Sequence, residues 1–415
     1  MNDMSTLRAV TLYVGALLGP SVLLLPGLAA EIAGPASILA WLGLMAVSGL
    51  LATVFSALGR RHPARSGAAG FAGAAFGPRA ERAVAACFFA GVVLGAPVVC
   101  LIGAGYVAQL VGGGHQLTIA IAAVLLLLVV ALTMGGGQAS AAVQLGLVAV
   151  LVVLVVVAVA GAIPHAHTAN WTPFAPHGWS AIGTASTVLM LSFVGWEAIA
   201  PMTARLRSPN RQLPRVIGLA FLITSAIYLA LAGTTVAVLG RDAGSPTPIA
   251  DLLRIAIGPI GSPAAAIAAI ALTLAATNAY LSGATEMVAA LLPATGPTGT
   301  RARLTGPRSL PISVAGVGIV LLALSAAGVL TTTQLVALPT TMFLAVYVAA
   351  TAAGVRLLTG RSRVAAAIAC AAVGVVLSFS GATLLLPVLI ACVAAAPWKR
   401  SNPRTAQLRM RSTSR

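Results

Sequence analysis

Leu17-Leu18-Gly19-Pro20-Ser21-Val22 lies partway along an otherwise apolar run that extends over residues 8–31. Proline removes a backbone donor and its ring clashes with the preceding turn. Glycine adopts conformations that other residues avoid. The run therefore reads as two half-helices with a break between them. A second stretch of the same character, Ser192-Phe193-Val194-Gly195-Trp196-Glu197, puts a hydroxyl, a glycine and a carboxylate inside the apolar run 179–203. Irregular backbone survives at membrane depth only where it lines a cavity, so the two breaks are where a binding site is expected.

The surrounding composition makes lipid the solvent. Of 415 residues, 59% are hydrophobic and 7% charged, against about 25% charged in a soluble domain. Seven acidic groups cannot keep so large a surface hydrated, which excludes a cytosolic enzyme. Mean hydropathy is +1.02, and the apolar runs are continuous rather than alternating, which excludes a β-barrel. At about 20 residues per crossing, the chain reads as an all-α polytopic membrane protein of twelve transmembrane helices. The expected spans are 8–31, 36–58, 82–111, 116–134, 138–162, 179–203, 214–240, 259–290, 311–330, 334–358, 362–380 and 382–398. The breaks fall in spans one and six. Equivalent segments five spans apart enter from opposite sides, which is the pattern of a five-plus-five inverted repeat with discontinuous helices 1 and 6. The expected organisation is residues 1–162 as the first repeat, 163–358 as the second, 359–398 as two added spans, and 399–415 as a basic tail.

The net charge of +17 does not read as nucleic-acid binding, because the basic residues form short clusters without interleaved aromatics. With twelve spans, 22 of the 24 basic residues fall on the side of the N-terminus, and Arg241 and Arg254 fall opposite. The positive-inside rule then puts both termini in the cytoplasm of a bacterial inner membrane, with lipids as the surrounding partner. The tail from Lys399 to Arg415 reads as part of that topology signal. Cys87, Cys100, Cys370 and Cys392 sit in apolar runs and read as packing residues. His165, His167 and His177 occupy the loop 163–178 without the Cys or carboxylate companions of a metal site. Gly135-Gly136-Gly137 lacks the Lys-Ser/Thr of a phosphate loop, so ATP-driven transport is not expected. No catalytic constellation and no cofactor is called for. The Gly-rich stretch Ser66–Phe76 reads as a short helix beneath the bilayer.

A half-helix N-terminus presents N–H groups and positive dipole to a carboxylate. The C-terminal end of the half-helix before the break presents carbonyls to an ammonium. A zwitterionic amino acid matches both. The candidate binding residues are Gly19, Pro20, Ser21 and Val22 at the first break and Phe193, Val194, Gly195 and Trp196 at the second. Asn278 and Tyr280 in span eight, and Thr340, Thr341 and Tyr347 in span ten, are polar groups able to reach the same cavity, with interhelical hydrogen bonding as their other reading. Pro20 lacks an N–H, and the Ser21 hydroxyl stands in for it. An ordinary kink is the other reading of Gly19-Pro20. A charge at mid-bilayer costs about 2.5–3.5 kcal/mol on insertion scales. Glu197 therefore reads as a proton-coupling or gating residue, or as a structural carboxylate tying the half-helix to a neighbour.

The sequence resembles the amino acid–polyamine–organocation superfamily of permeases, and within it the bacterial exporters of methionine and branched-chain amino acids. The likeness is carried by Leu17 to Val22 and on to Pro26, by Gly59-Arg60 through His62-Pro63 with Ala75-Phe76-Gly77, and by Phe193 to Ala198. Ser208-Pro209-Asn210 to Pro214-Arg215, Asn278 with Tyr280, and Phe343 through Tyr347 to Gly354 and Leu357-Leu358 extend it. The resemblance implies the five-plus-five repeat with two extra helices, substrate carboxylate on the first break and amine near the sixth span. It also implies export of hydrophobic amino acids driven by proton entry. Departures are Pro20 and Ser21, where members often have a non-proline residue and glycine, Glu286, where many carry arginine, and the absence of lysine from span five. Uptake or exchange of another amino acid is the alternative within transport. A membrane sensor or enzyme would need an output domain or reactive cluster, and neither is visible.

Overall fold

A computed structural model describes residues 6–62, 67–136, 141–196, 209–291 and 309–396, and among them all regular structure is helical. The first apolar run forms α1 (Thr6–Leu17) and α2 (Ser21–Ala33), separated at Leu18-Gly19-Pro20. A short 3-10 turn at Gly34–Ala36 leads into α3 (Ser37–Arg61). The Gly-rich stretch forms α4 (Ala68–Phe76), followed by α5 (Pro78–Leu110), α6 (His115–Met134) and α7 (Ala141–Ala162). After an irregular segment come α8 (Ser180–Leu189) and its 3-10 continuation Met190–Phe193. The rest is α9 (Pro209–Leu239), α10 (Pro248–Ile257), α11 (Gly261–Leu291), α12 (Ser309–Ala326), α13 (Thr332–Leu357), α14 (Gly360–Ser378) and α15 (Leu385–Ala395).

Among the described residues, nine helical stretches are long and apolar enough to cross a membrane, with the shorter apolar pieces Ser180–Phe193 and Gly381–Ala395 beside them. The chain is a multi-pass membrane protein. Burial sorts the helices. In α13, 67% of the apolar window is buried, against 22% in α14. The long α5 packs against α4, α6, α11 and α13 and so runs through the middle. Val124, Leu127 and Leu128 of α6 and Leu385 and Val393 of α15 face outward, as expected for surfaces solvated by acyl chains. Helix α13 starts on a capping box in which Thr331 and Gln334 satisfy each other's backbone N–H groups. Pro26, Pro97 and Pro339 lie inside α2, α5 and α13.

Two segments differ from or refine the sequence expectation. Residues 241–258, expected as a plain connection, contain a 3-10 turn at Gly240–Gly244 and helix α10. Thr247-Pro248 starts that helix, with proline preset for the first turn. Its Ile249, Leu252 and Leu253 are buried, and it continues through a 3-10 turn into α11 as one apolar stretch, Pro248–Leu281. Helix α4 forms within the expected stretch, and its Phe71 and Ala72 are fully buried where it packs on α5 and α13. The four cysteines are free thiols, with Cys87 and Cys100 buried, Cys370 half-buried and Cys392 exposed. Glu197, the loop through Ser208, and the tail from Lys399 to Arg415 lie outside the described residues.

Candidate functional site

Helix α1 closes with Leu18 N–H on Val14 O at 2.8 Å. Pro20 then turns the chain without a side-chain cap (φ −56°, ψ −19°), and α2 begins at Ser21. Val22 N–H reaches back to Gly19 O at 3.2 Å and Leu23 N–H to Pro20 O at 3.0 Å. The first turn of α2 therefore spends two of its amides on its own backbone, and Gly19 and Ser21 are the amides that the turn does not use.

At the second break the backbone leaves the helix after Phe193. Val194 is extended (φ −68°, ψ 121°), and Gly195 sits at φ 144°, a conformation that costs any side-chain-bearing residue heavily. Tyr347 from α13 serves this break. Its hydroxyl donates to Phe193 O at 3.0 Å and accepts from Gly195 N–H at 3.3 Å. Such groups need partners because no water reaches them in lipid. Tyr228 from α9 lies beside both breaks, 2.9 Å from Leu17 O and 3.3 Å from Ser192 O.

A cavity of about 70 Å³ opens against the first break, several times the ~10–15 Å³ that one water needs. Gly19, Pro20 and Ser21 form one wall, and Leu191 and Val194 bring the second break to it. Helix α5 supplies the broadest wall through Gly91, Val92, Gly95, Ala96, Val99 and Ile102, which share one helical face. Thr277, Tyr280 and Leu281 of α11 and Phe343 of α13 close it. Among the described residues, the polar side chains on the lining are Ser21, Thr277 and Tyr280, and no lining side chain is charged. Thr277 is buried, and its hydroxyl has no partner apart from the weak thiol of Cys100.

The structure thus brings Gly19, Pro20, Ser21, Val194 and Tyr280 together on the cavity and places the other candidates elsewhere. Val22 is fully buried in helix packing. Phe193 packs on Trp41 and Tyr228, with ring centroids at 6.5 Å and 5.9 Å. Gly195 is held by Tyr347, and Trp196 donates through Nε1 to Ser48 Oγ at 2.9 Å. Asn278 turns its Oδ1 to the Thr133 hydroxyl at 3.0 Å, and Thr340 donates to Val336 O in its own helix at 2.6 Å. These are the local bonds that polar residues make when lipid offers no other partner. The α5 wall was missed by reasoning from polar residues. Its signal is the pair Gly91 and Gly95, one turn apart on one face of the helix. Among the described residues, no three His, Cys, Asp or Glu side chains group as metal ligands.

Comparison with known proteins gives a consistent picture. A family model described as amino acid permease matches residues 4–294. The chain is similar to the uncharacterized amino acid permease YecA of Bacillus subtilis, 31% identical over 400 residues and covering 94% of each chain. It is also similar to the L-methionine/branched-chain amino acid exporter YjeH of Escherichia coli, 29% identical over 247 residues, 58% of this chain and 57% of that one. A shorter match joins it to the branched-chain amino acid permease BcaP of Bacillus subtilis, 25% identical over 89 residues, 21% of this chain and 19% of that one.

Proposed function

The chain belongs to the amino acid permease family, and from that premise we propose that it is a secondary active transporter exporting methionine and branched-chain amino acids. One observation carries the reading: among the described residues, the cavity at the first break is walled by valine, alanine, isoleucine, leucine and phenylalanine side chains, with no charged one. The Gly19 and Ser21 amides and the Ser21 hydroxyl receive the substrate carboxylate. The substrate amine lies toward the carbonyls of the second break. The apolar side chain lies along Val92, Ala96, Val99 and Phe343. A cationic side chain would need a carboxylate on this wall. An apolar wall separates substrates by only about 1–3 kcal/mol per methylene, so several hydrophobic amino acids share the carrier.

Twelve spans in a five-plus-five inverted repeat, both termini in the cytoplasm of a bacterial inner membrane, and antiport against protons complete the proposal. Glu197, three residues beyond Val194, is the proton-coupling residue. Alternating access follows from the inverted repeat: the same central site is exposed to one side and then the other as the half-helices swing. The test is efflux from cells loaded with labelled dipeptides. Expression of the chain should speed the exit of methionine and leucine and leave lysine unchanged. Equal efflux of all three with and without the chain refutes the exporter. Faster accumulation of external leucine would replace export with uptake.

A further inference from the structure

Tyr228 does not line the cavity, yet its hydroxyl touches the backbone of both breaks. It stands 2.9 Å from the carbonyl of Leu17, the last residue of α1, and 3.3 Å from the carbonyl of Ser192, in the 3-10 turn that continues α8. The ring is fully buried, stacked on Trp41 at 4.9 Å and flanked by Phe193 at 5.9 Å. Two C-terminal helix ends therefore converge on one phenol. Each end carries carbonyls that no intrahelical N–H satisfies, and each carries the negative end of its dipole. A phenol has a single hydrogen, so one carbonyl receives a full bond and the other a weaker share, and the Ser21 and Ser192 hydroxyls stand beside the same phenol oxygen. The shorter distance assigns the hydrogen to Leu17 in this structure.

We propose that the Tyr228 hydroxyl is a two-position clasp joining the broken helices, its hydrogen passing between the Leu17 and Ser192 carbonyls as one half-helix swings and the other stays docked. Tyr228 is a positioning residue: it acts on the cargo through the breaks. The transport role of the clasp rests on the proposed function, whereas the clasp itself does not. Tyr228→Phe keeps the packed ring and deletes only the hydroxyl. Tyr106→Phe is the comparison, because its buried hydroxyl donates to Leu23 O at 2.7 Å, on α2 alone.

The full chain in lipid nanodiscs, without substrate, is first followed by hydrogen–deuterium exchange. In Tyr228→Phe the amides of residues 17–23 and 190–196 should exchange about tenfold faster, with α6 unchanged, as loss of a buried bond at both sites requires. Unchanged exchange at either break overturns the clasp. In vesicles with labelled leucine, the same variant should lower the maximal rate about tenfold while KM stays within about threefold. An unchanged rate, or an equal loss in Tyr106→Phe, overturns the positioning role. If the wild-type chain moves no amino acid, the proposed function fails by itself, and the exchange measurement still decides the clasp.

Discussion

Gly95 faces the cavity from the middle of α5, and replacing it with alanine locates the substrate side chain. A Cβ at this position would meet only Pro339 Cβ, at 3.6 Å, an ordinary contact. The added methyl therefore enters the cavity without strain. Exchange of glycine for alanine inside a helix should itself stabilise the fold by about 0.5–1 kcal/mol. Any loss of transport then comes from occupied space, in a cavity of about 70 Å³. One methylene in an apolar pocket is worth about 1–3 kcal/mol, roughly 10- to 200-fold in selectivity. Gly95→Ala should raise KM for leucine and methionine by that factor relative to alanine, whose side chain is too short to reach the new methyl. Competition between labelled leucine and unlabelled amino acids in vesicles reads this directly, with thermal unfolding in detergent as the stability control. If leucine and alanine weaken together, or neither weakens, the apolar side chain does not lie along α5 and the substrate pose is wrong. Gly91 is the poorer choice for this test, because its Cβ would press on the Phe343 ring at 3.0 Å and mix packing with occupancy.

Other expectations concern the second break. Gly195→Ala forces a side chain into φ 144° and should cost about 1–3 kcal/mol, read as a lower unfolding midpoint; an unchanged midpoint would mean that the break relaxes freely. Trp196→Phe deletes the bond to Ser48 Oγ and shrinks a fully buried ring; it should cost at least about 0.6 kcal/mol of stability, the mean for an interhelical bond in lipid, and more for the space vacated, with KM for leucine unchanged because the indole stands off the cavity. Glu197→Gln should abolish the response of leucine efflux to an imposed pH gradient while leaving exchange of internal for external leucine; an intact pH response would remove this residue from proton coupling.

The two breaks were legible because their cause is local. Gly19-Pro20 and Gly195 interrupt a helix through their own backbone chemistry, whatever packs around them. The walls were less legible for the opposite reason. Asn278 and Thr340 looked like cavity groups, but a polar side chain in lipid first seeks its nearest partner, here Thr133 Oγ1 and Val336 O. Val92, Ala96 and Val99 carry no chemical mark that separates a cavity wall from core or from lipid contact. Helix α10 was hidden because Gly240 to Gly258 is rich in glycine and proline and carries Arg241, Asp242, Asp251 and Arg254, which read as a loop. Tyr347 was legible only as a polar group able to reach the cavity, and Tyr228 carried no signal, because their partners are carbonyls in segments distant along the chain.

The prolines inside α2, α5 and α13 bear on how such a molecule moves. Each removes the bond that would join its own position to the carbonyl four residues earlier, at Val22, Val93 and Leu335. All three belong to helices that border the cavity. These rods come with their hinges already cut, so flexing them sacrifices no ladder rung, and the lipid-facing staves α6 and α14 contain no such notch.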